Sequence, residues 1–276
     1  MKVSYLTPLD SFRGIAALSV VLLHLHIYRS FTEVEFFRHG HLGVPFFFVL
    51  SGFIIAYVYH NDTFKFKDFL AARAFRILPL YWLVLFLFVA FECCKYIAYT
   101  YFAVSFGIPP FSEHKQIGEL LPNFLLLQSW LPHTDSSSFN FPSWSLSIEW
   151  YLYLCFGLLM FAPKIVRYAL FITLPILSFA HYLDVLRGEA QKGILFFFAG
   201  CVVYLIFAKL RHISLPPILL RIAEVMGLVA LLAIFQIGLD GASIIVFPFV
   251  VLVFALSAVS SNAIGGGGKH KQALMS

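Results

Sequence analysis

Residues 43–60 read GVPFFFVLSGFIIAYVYH, with no Asp, Glu, Lys or Arg among them. At 1.5 Å per residue a helix of this length covers roughly 27 Å, close to the roughly 30 Å hydrocarbon core of a bilayer. Seven further stretches of similar character follow on either side: 11–30, 78–104, 143–162, 168–186, 193–208, 222–239 and 242–260. The stretch 118–131, GELLPNFLLLQSWL, is too short to cross and holds a proline, so it reads as a short re-entrant or interfacial helix. The fold class expected is an all-α, polytopic transmembrane bundle of about eight spans.

Composition supports this. Of 276 residues, 61% are hydrophobic and 12% charged, whereas a soluble domain carries roughly half apolar and a quarter charged residues. The 33 Phe suit lipid-facing and interhelical surfaces. A net charge of +5 could point to nucleic acid, but the basic residues sit in short clusters between apolar runs. They read as topogenic charge, and no nucleic-acid partner is expected. With the N-terminus inside, 13 of the 19 Lys and Arg fall inside and 5 outside, Lys95 lying within a span. Both termini are therefore expected in the cytoplasm of a cell-membrane protein.

The chain starts MKVSYLTPLDSFRG with no small-residue cleavage site, so its first helix is expected to be retained. Residues 1–260 read as one membrane domain. Residues 261–276, with four consecutive glycines, read as a disordered tail, whether native, an expression scar or a frameshift. The longest outside region, about 105–142, carries turn-forming prolines and the run HTDSSS, the sort of loop that binds ligands. The four cysteines lie in apolar stretches with neither disulfide nor zinc spacing, and no metal site is expected.

Ionisable groups inside a span are unfavourable by about 2.5–3.5 kcal/mol each and so mark candidate sites. Arg13 and His24 are eleven residues apart, nearly three whole turns, which puts them on one helix face roughly 16 Å apart. A guanidinium at the mouth suits phosphate, and an imidazole deeper in suits proton transfer. A snorkelling arginine and a packed histidine is the other reading. His26 points some 200° away and reads as structural. In the hairpin FKFKDFLAARAFRILPLYW, 64–82, Arg73 and Arg76 share a face and could hold phosphates or simply set topology. Pro79 is expected to start the next span. In FPSWSLSIEWYLY, 141–153, Ser145, Glu149 and Tyr153 recur at four-residue spacing on one face. Glu149 there needs a cation, a proton or the bundle interior, and a histidine such as His24 is a suitable partner type. Glu92 and Lys95 read as a structural pair.

Four of these segments, in order, resemble membrane acyltransferase family 3, the O-acyltransferases of cell-surface polysaccharides. LDSFRGIAALSVVLLHL, 9–25, looks like the family's opening helix. GVPFFFVLSGFIIAY, 43–57, is similar to its second-helix signature with Ser51 and Gly52. AARAFRILPLYW, 71–82, looks like its basic hairpin, and PSWSLSIEWYLY, 142–153, like its tryptophan–serine–glutamate signature, with Trp144 and Ser145.

The resemblance implies an integral membrane enzyme that moves an acyl group, most often acetyl, from cytoplasmic acyl-CoA to a hydroxyl of an extracytoplasmic carbohydrate or lipid-linked glycan. Acyl-CoA is then donor substrate, with no tightly bound cofactor. Arg13, Arg73 and Arg76 would contact its phosphates. His24 would deprotonate the acceptor hydroxyl or relay the acyl group, and Glu149 would orient or charge-tune it. Ser51, Trp144, Ser145 and Tyr153 would line the substrate path, with acceptor approaching near 105–142. Family members usually run longer, so the chain reads as a C-terminally truncated or divergent member. A proton-coupled transporter, a lipid-linked sugar carrier or an inactive remnant are the competing expectations.

Overall fold

The computed structural model describes residues 6–25, 34–59, 64–183, 185–213 and 215–272, with side chains to Ser260. It is all-helical, with no strand among the described residues: α1 (Thr7–His24), α2 (Glu35–Arg38), α3 (Gly43–Tyr59), α4 (Phe66–Phe102), α5 (Leu120–Phe124), α6 (Trp144–Leu159), α7 (Lys164–Phe179), α8 (Gly188–Leu210), α9 (Pro217–Ile237) and α10 (Asp240–Gln272). Each of the eight apolar stretches read from the sequence carries a helix.

Among the described residues, five helices are long and apolar enough to cross a membrane: Gly40–Tyr59, Phe66–Phe102, Gly188–Leu210, Pro217–Ile237 and Asp240–Ser260. Of the expected spans, about eight in number, five thus meet that length and apolarity. Helices α6 and α7 have 16 residues each, roughly 24 Å. Helix α1 has 18 residues but begins with Asp10 and Arg13 in its first turns, and the rest of the predicted stretch 26–30 lies outside the described residues. One expectation is corrected. The basic segment 64–82 is no hairpin: Phe66 opens a single 37-residue helix with Pro79 inside it. At about 55 Å that helix outruns the hydrocarbon core, which leaves room for the charged turns beyond it. Over 118–131 the short helix expected is present as α5, Leu120–Phe124, entered from a 3-10 turn at Ile117–Glu119 and followed by turns and irregular chain.

The chain forms two compact units. The first comprises residues 1–61, 168–176 and 195–276. Its core is aromatic: Phe12 meets Phe46 at 5.8 Å and Phe254 at 4.8 Å between ring centroids, and Phe46 meets Phe247 at 5.1 Å. Helices α3 and α8 cross with their backbones in contact. A Cβ on Gly52 would collide with the Phe197 carbonyl, and one on Gly200 with that of Val49. Close approach through small residues is how helices associate where no hydrophobic force separates them from lipid.

The second unit comprises residues 62–167 and 177–194. Here α4 packs on α6, Phe69 lying 6.0 Å from Phe156 and 6.4 Å from Tyr153. The segment between these helices is tied down by side chains that bond its carbonyls. Tyr81 donates to Asn123 O at 2.8 Å, Trp82 to Phe124 O at 3.1 Å, and Ser147 to Leu126 O at 2.6 Å. These bonds fall on carbonyls at the C-terminal end of α5 and just beyond it, where a helix end leaves acceptors for side chains to bond.

Candidate active site

Three candidate residues belong to the first unit. Helix α1 is unbroken from Thr7 to His24, so regular helix geometry carries the eleven-residue separation of Arg13 and His24. The Arg13 guanidinium is half-buried and lies 5.2 Å from the centroid of the Phe47 ring, within cation–π range. His24 is the last residue of α1 and is exposed. Ser51 is buried beside Gly52 in the α3–α8 crossing. His26 lies outside the described residues.

Six belong to the second unit, and three of these come together. Tyr153 is 1% exposed and Glu149 5%. The Tyr153 hydroxyl donates to Glu149 Oε1, one turn back on α6. From α4, the half-buried Arg73 sets its guanidinium 5.7 Å from the Tyr153 ring centroid and 6.0 Å from that of Phe69. The phenol thus joins a cation on one helix to a carboxylate on the other. A phenol donating to an anion has a more electron-rich ring, which strengthens its pull on a guanidinium.

Arg76, one turn further on, is exposed and open to a polyanion. Ser145 does not join the cluster; its hydroxyl donates back to Pro142 O at 3.4 Å. Trp144 is half-buried, and its carbonyl accepts from Ser129 at 3.1 Å.

Two groupings escaped sequence reading. Gln128, 0% exposed, donates to the Tyr81 hydroxyl at 3.0 Å, and Asn123 donates to Ser138 Oγ at 2.6 Å. Their isolation as polar residues within LLPNFLLLQSW was the available signal. Glu92 pairs with Lys95, as expected, at 3.1 Å, but also takes Lys115 at 2.9 Å and the Phe111 N–H at 3.1 Å. Only the local partner was visible from helical spacing. Beyond it, His114 donates to Asp135 at 2.6 Å, Glu119 accepts the Asp135 N–H at 3.0 Å, and Arg187 donates to Thr134 O. The Asp135 carboxylate raises the His114 pKa above its ordinary value. Among the described residues, no group of three or more His, Cys, Asp or Glu is placed to hold a metal ion.

Comparison with known proteins gives these groups a context. Acyltransferase MdmB of Streptomyces mycarofaciens is 33% identical over 165 residues, 57% of this chain and 40% of that protein. A putative acetyltransferase, ORF330 of Acidianus two-tailed virus, is 28% identical over 181 residues, 66% of this chain and 49% of that protein. The putative peptidoglycan O-acetyltransferase YrhL of Bacillus subtilis is 29% identical over 204 residues, 66% of this chain and 28% of that protein. The chain thus matches less than half the length of each of these relatives. No solved structure matches it. A family model described as an acyltransferase domain matches residues 7–271, nearly the whole sequence. The chain belongs to acyltransferase family 3.

Proposed function

We propose that this protein is a membrane O-acyltransferase that takes an acyl group, acetyl above all, from acyl-CoA at the cytoplasmic face and delivers it to a hydroxyl of an extracytoplasmic carbohydrate or lipid-linked glycan. Both termini lie in the cytoplasm in this reading, supported by the distribution of Lys and Arg. The observation that carries the proposal is the family match over residues 7–271, together with Arg13 and His24 on one unbroken helix. Relatives named as O-acetyltransferases support oxygen as the accepting atom.

Arg13, Arg73 and Arg76 are the proposed phosphate contacts. Guanidinium forks match phosphate oxygens and do not lose their charge. His24 is the proposed base. Its imidazole nitrogen takes the proton from the acceptor hydroxyl as that oxygen attacks the thioester carbonyl. The C–O bond forms, the C–S bond breaks, and the CoA thiolate leaves and accepts the proton. General-base help of this kind is worth roughly 10²–10⁴ in rate. Glu149, bonded by Tyr153, is the proposed supporting carboxylate. Ser51, Trp144 and Ser145 are proposed to line the substrate path.

The test is transfer from radiolabelled acetyl-CoA by the purified protein in nanodiscs, with a hydroxylated oligosaccharide as acceptor. Base-labile label on the oligosaccharide is expected. Label that stays on CoA, with acceptor present and the protein folded, would reject the reading.

A further inference from the structure

A cavity of about 310 Å³ opens in the first unit where the end of α8, the start of α9 and residues 256–260 of α10 meet. Arg211 and His212, just past α8, give it a polar side, and Leu215, Leu220, Leu256 and Val259 an aliphatic wall. Arg211 is half-buried, and its Nε donates to His212 Nε2 at 3.2 Å. Its two terminal guanidinium nitrogens meet no hydrogen-bond partner among the described residues.

The charge of this cation is not answered nearby. No carboxylate lines the cavity among the described residues. The one acid of α9, Glu224, is held by Arg221 at 2.8 Å. Ser214 and residues 261–276, which adjoin the lining in sequence, contain no Asp or Glu. A half-buried cation draws an anion more strongly than one in bulk water does. A guanidinium fork matches phosphate oxygens, and the aliphatic wall gains by covering a hydrocarbon chain. The described lining offers no Phe, Tyr or Trp face on which a nucleotide base could stack.

The cavity also lies at a defined end of the unit. Helix α10 starts at Asp240, which bonds His41 at 3.3 Å; next to His41, a Cβ on Gly40 would meet Ser19 O and Leu23 in the later turns of α1. Further along α10, Phe254 meets Phe12 at 4.8 Å. The two helices are therefore antiparallel, and Leu256 and Val259 lie at the Arg13 end of α1. In the proposed topology this is the cytoplasmic end, where basic pockets between membrane helices meet anionic lipid heads.

We propose that this cavity binds an anionic membrane lipid, with its phosphate at Arg211 and one acyl chain along Leu215, Leu220 and Leu256. The choice of leaflet rests on the proposed topology; the binding itself is independent of acyl transfer.

The test is photolabelling of the full chain in phosphatidylcholine nanodiscs. Phosphatidic acid and phosphatidylcholine probes bearing the same diazirine acyl chain are compared at equal mole fraction. The phosphatidic acid probe should label peptides covering residues 211–220 and 256–260 about fivefold more than the phosphatidylcholine probe, the weight of one basic side chain at an anionic head. Arg211→Gln should remove that preference, whereas Lys209→Gln, an exposed change close by, should keep it. Val259→Trp, which fills the cavity from α10, should also remove it and serves if Arg211→Gln lowers the melting temperature. Equal labelling by the two heads, a preference that survives in a folded cavity variant, or an equal loss in Lys209→Gln would overturn the proposal. So would loss of the labelling on adding excess CoA, which would give the cavity to the phosphates of the acyl donor.

Discussion

The Tyr153 hydroxyl donates its proton to Glu149, and the same ring carries the Arg73 guanidinium 5.7 Å from its centroid. Removing that hydroxyl leaves a carboxylate only 5% exposed with one donor fewer, a change that costs roughly 1–3 kcal/mol. Tyr153→Phe should therefore lower the melting temperature and reduce acyl transfer about tenfold, a change of about 1.4 kcal/mol in activation free energy. Glu149→Gln should reduce transfer further while better preserving the fold. Thermal melts and initial rates on both variants decide this.

Arg73 and Arg76 should separate by chemistry. Arg73→Lys keeps the charge but loses the flat fork that stacks on Tyr153 and Phe69, and roughly tenfold in kcat/KM should go with it. Exposed Arg76 tolerates Lys structurally, so Arg76→Lys should leave stability unchanged and raise KM for acyl-CoA only slightly. Arg76→Ala should raise it more.

The α3–α8 crossing predicts a sharp contrast between glycines. Gly52→Ala places a Cβ against the Phe197 carbonyl, whereas Gly14→Ala meets nothing within 4 Å. The first should lose about 1–3 kcal/mol by overpacking. The second should be neutral or slightly stabilising, since alanine favours helix. Melting in detergent reads both.

Much of this was legible in the sequence. The apolar stretches locate every long helix because bilayer thickness imposes a length on them. The face shared by Glu149 and Tyr153 follows from their spacing alone. The start of α4 was missed because FKFKDFLAARAF mixes charge with aromatic residues, so it lacks the uniform apolarity that marks a span. The approach of Arg73 to Tyr153 depends on how α4 sits along α6, which no local pattern encodes. The loop was illegible for a similar reason. Tyr81, Trp82 and Ser147 bond backbone carbonyls, which every residue possesses and no sequence motif distinguishes.

Glu92 should prove to be the anchor of the segment following α4. It is 0% exposed and takes Lys95, Lys115 and the Phe111 N–H. Glu92→Ala should cost about 3 kcal/mol, because the two ammonium groups lose their acid. Limited proteolysis at Lys115 should become faster, while Lys95→Ala should have a smaller effect.

The His114–Asp135 contact gives this region a pH dependence. The His114 pKa is raised in the fold by the Asp135 hydrogen bond and charge. The protonated imidazole is therefore favoured by folding. Its contribution is complete below the ordinary histidine value of 6.5 and is lost as pH rises through the elevated one. Hydrogen exchange around residues 133–138, corrected for intrinsic rates, should quicken across that window in the native protein and not in His114→Gln.

In the proposed mechanism His24 takes the acceptor's proton. Single-turnover transfer from radiolabelled acetyl-CoA to a carbohydrate acceptor, compared between the native protein and His24→Ala of equal melting temperature, decides whether it does. Loss of at least a hundredfold in the transfer rate, with acetyl-CoA affinity retained, is the predicted result. An unchanged rate would contradict it.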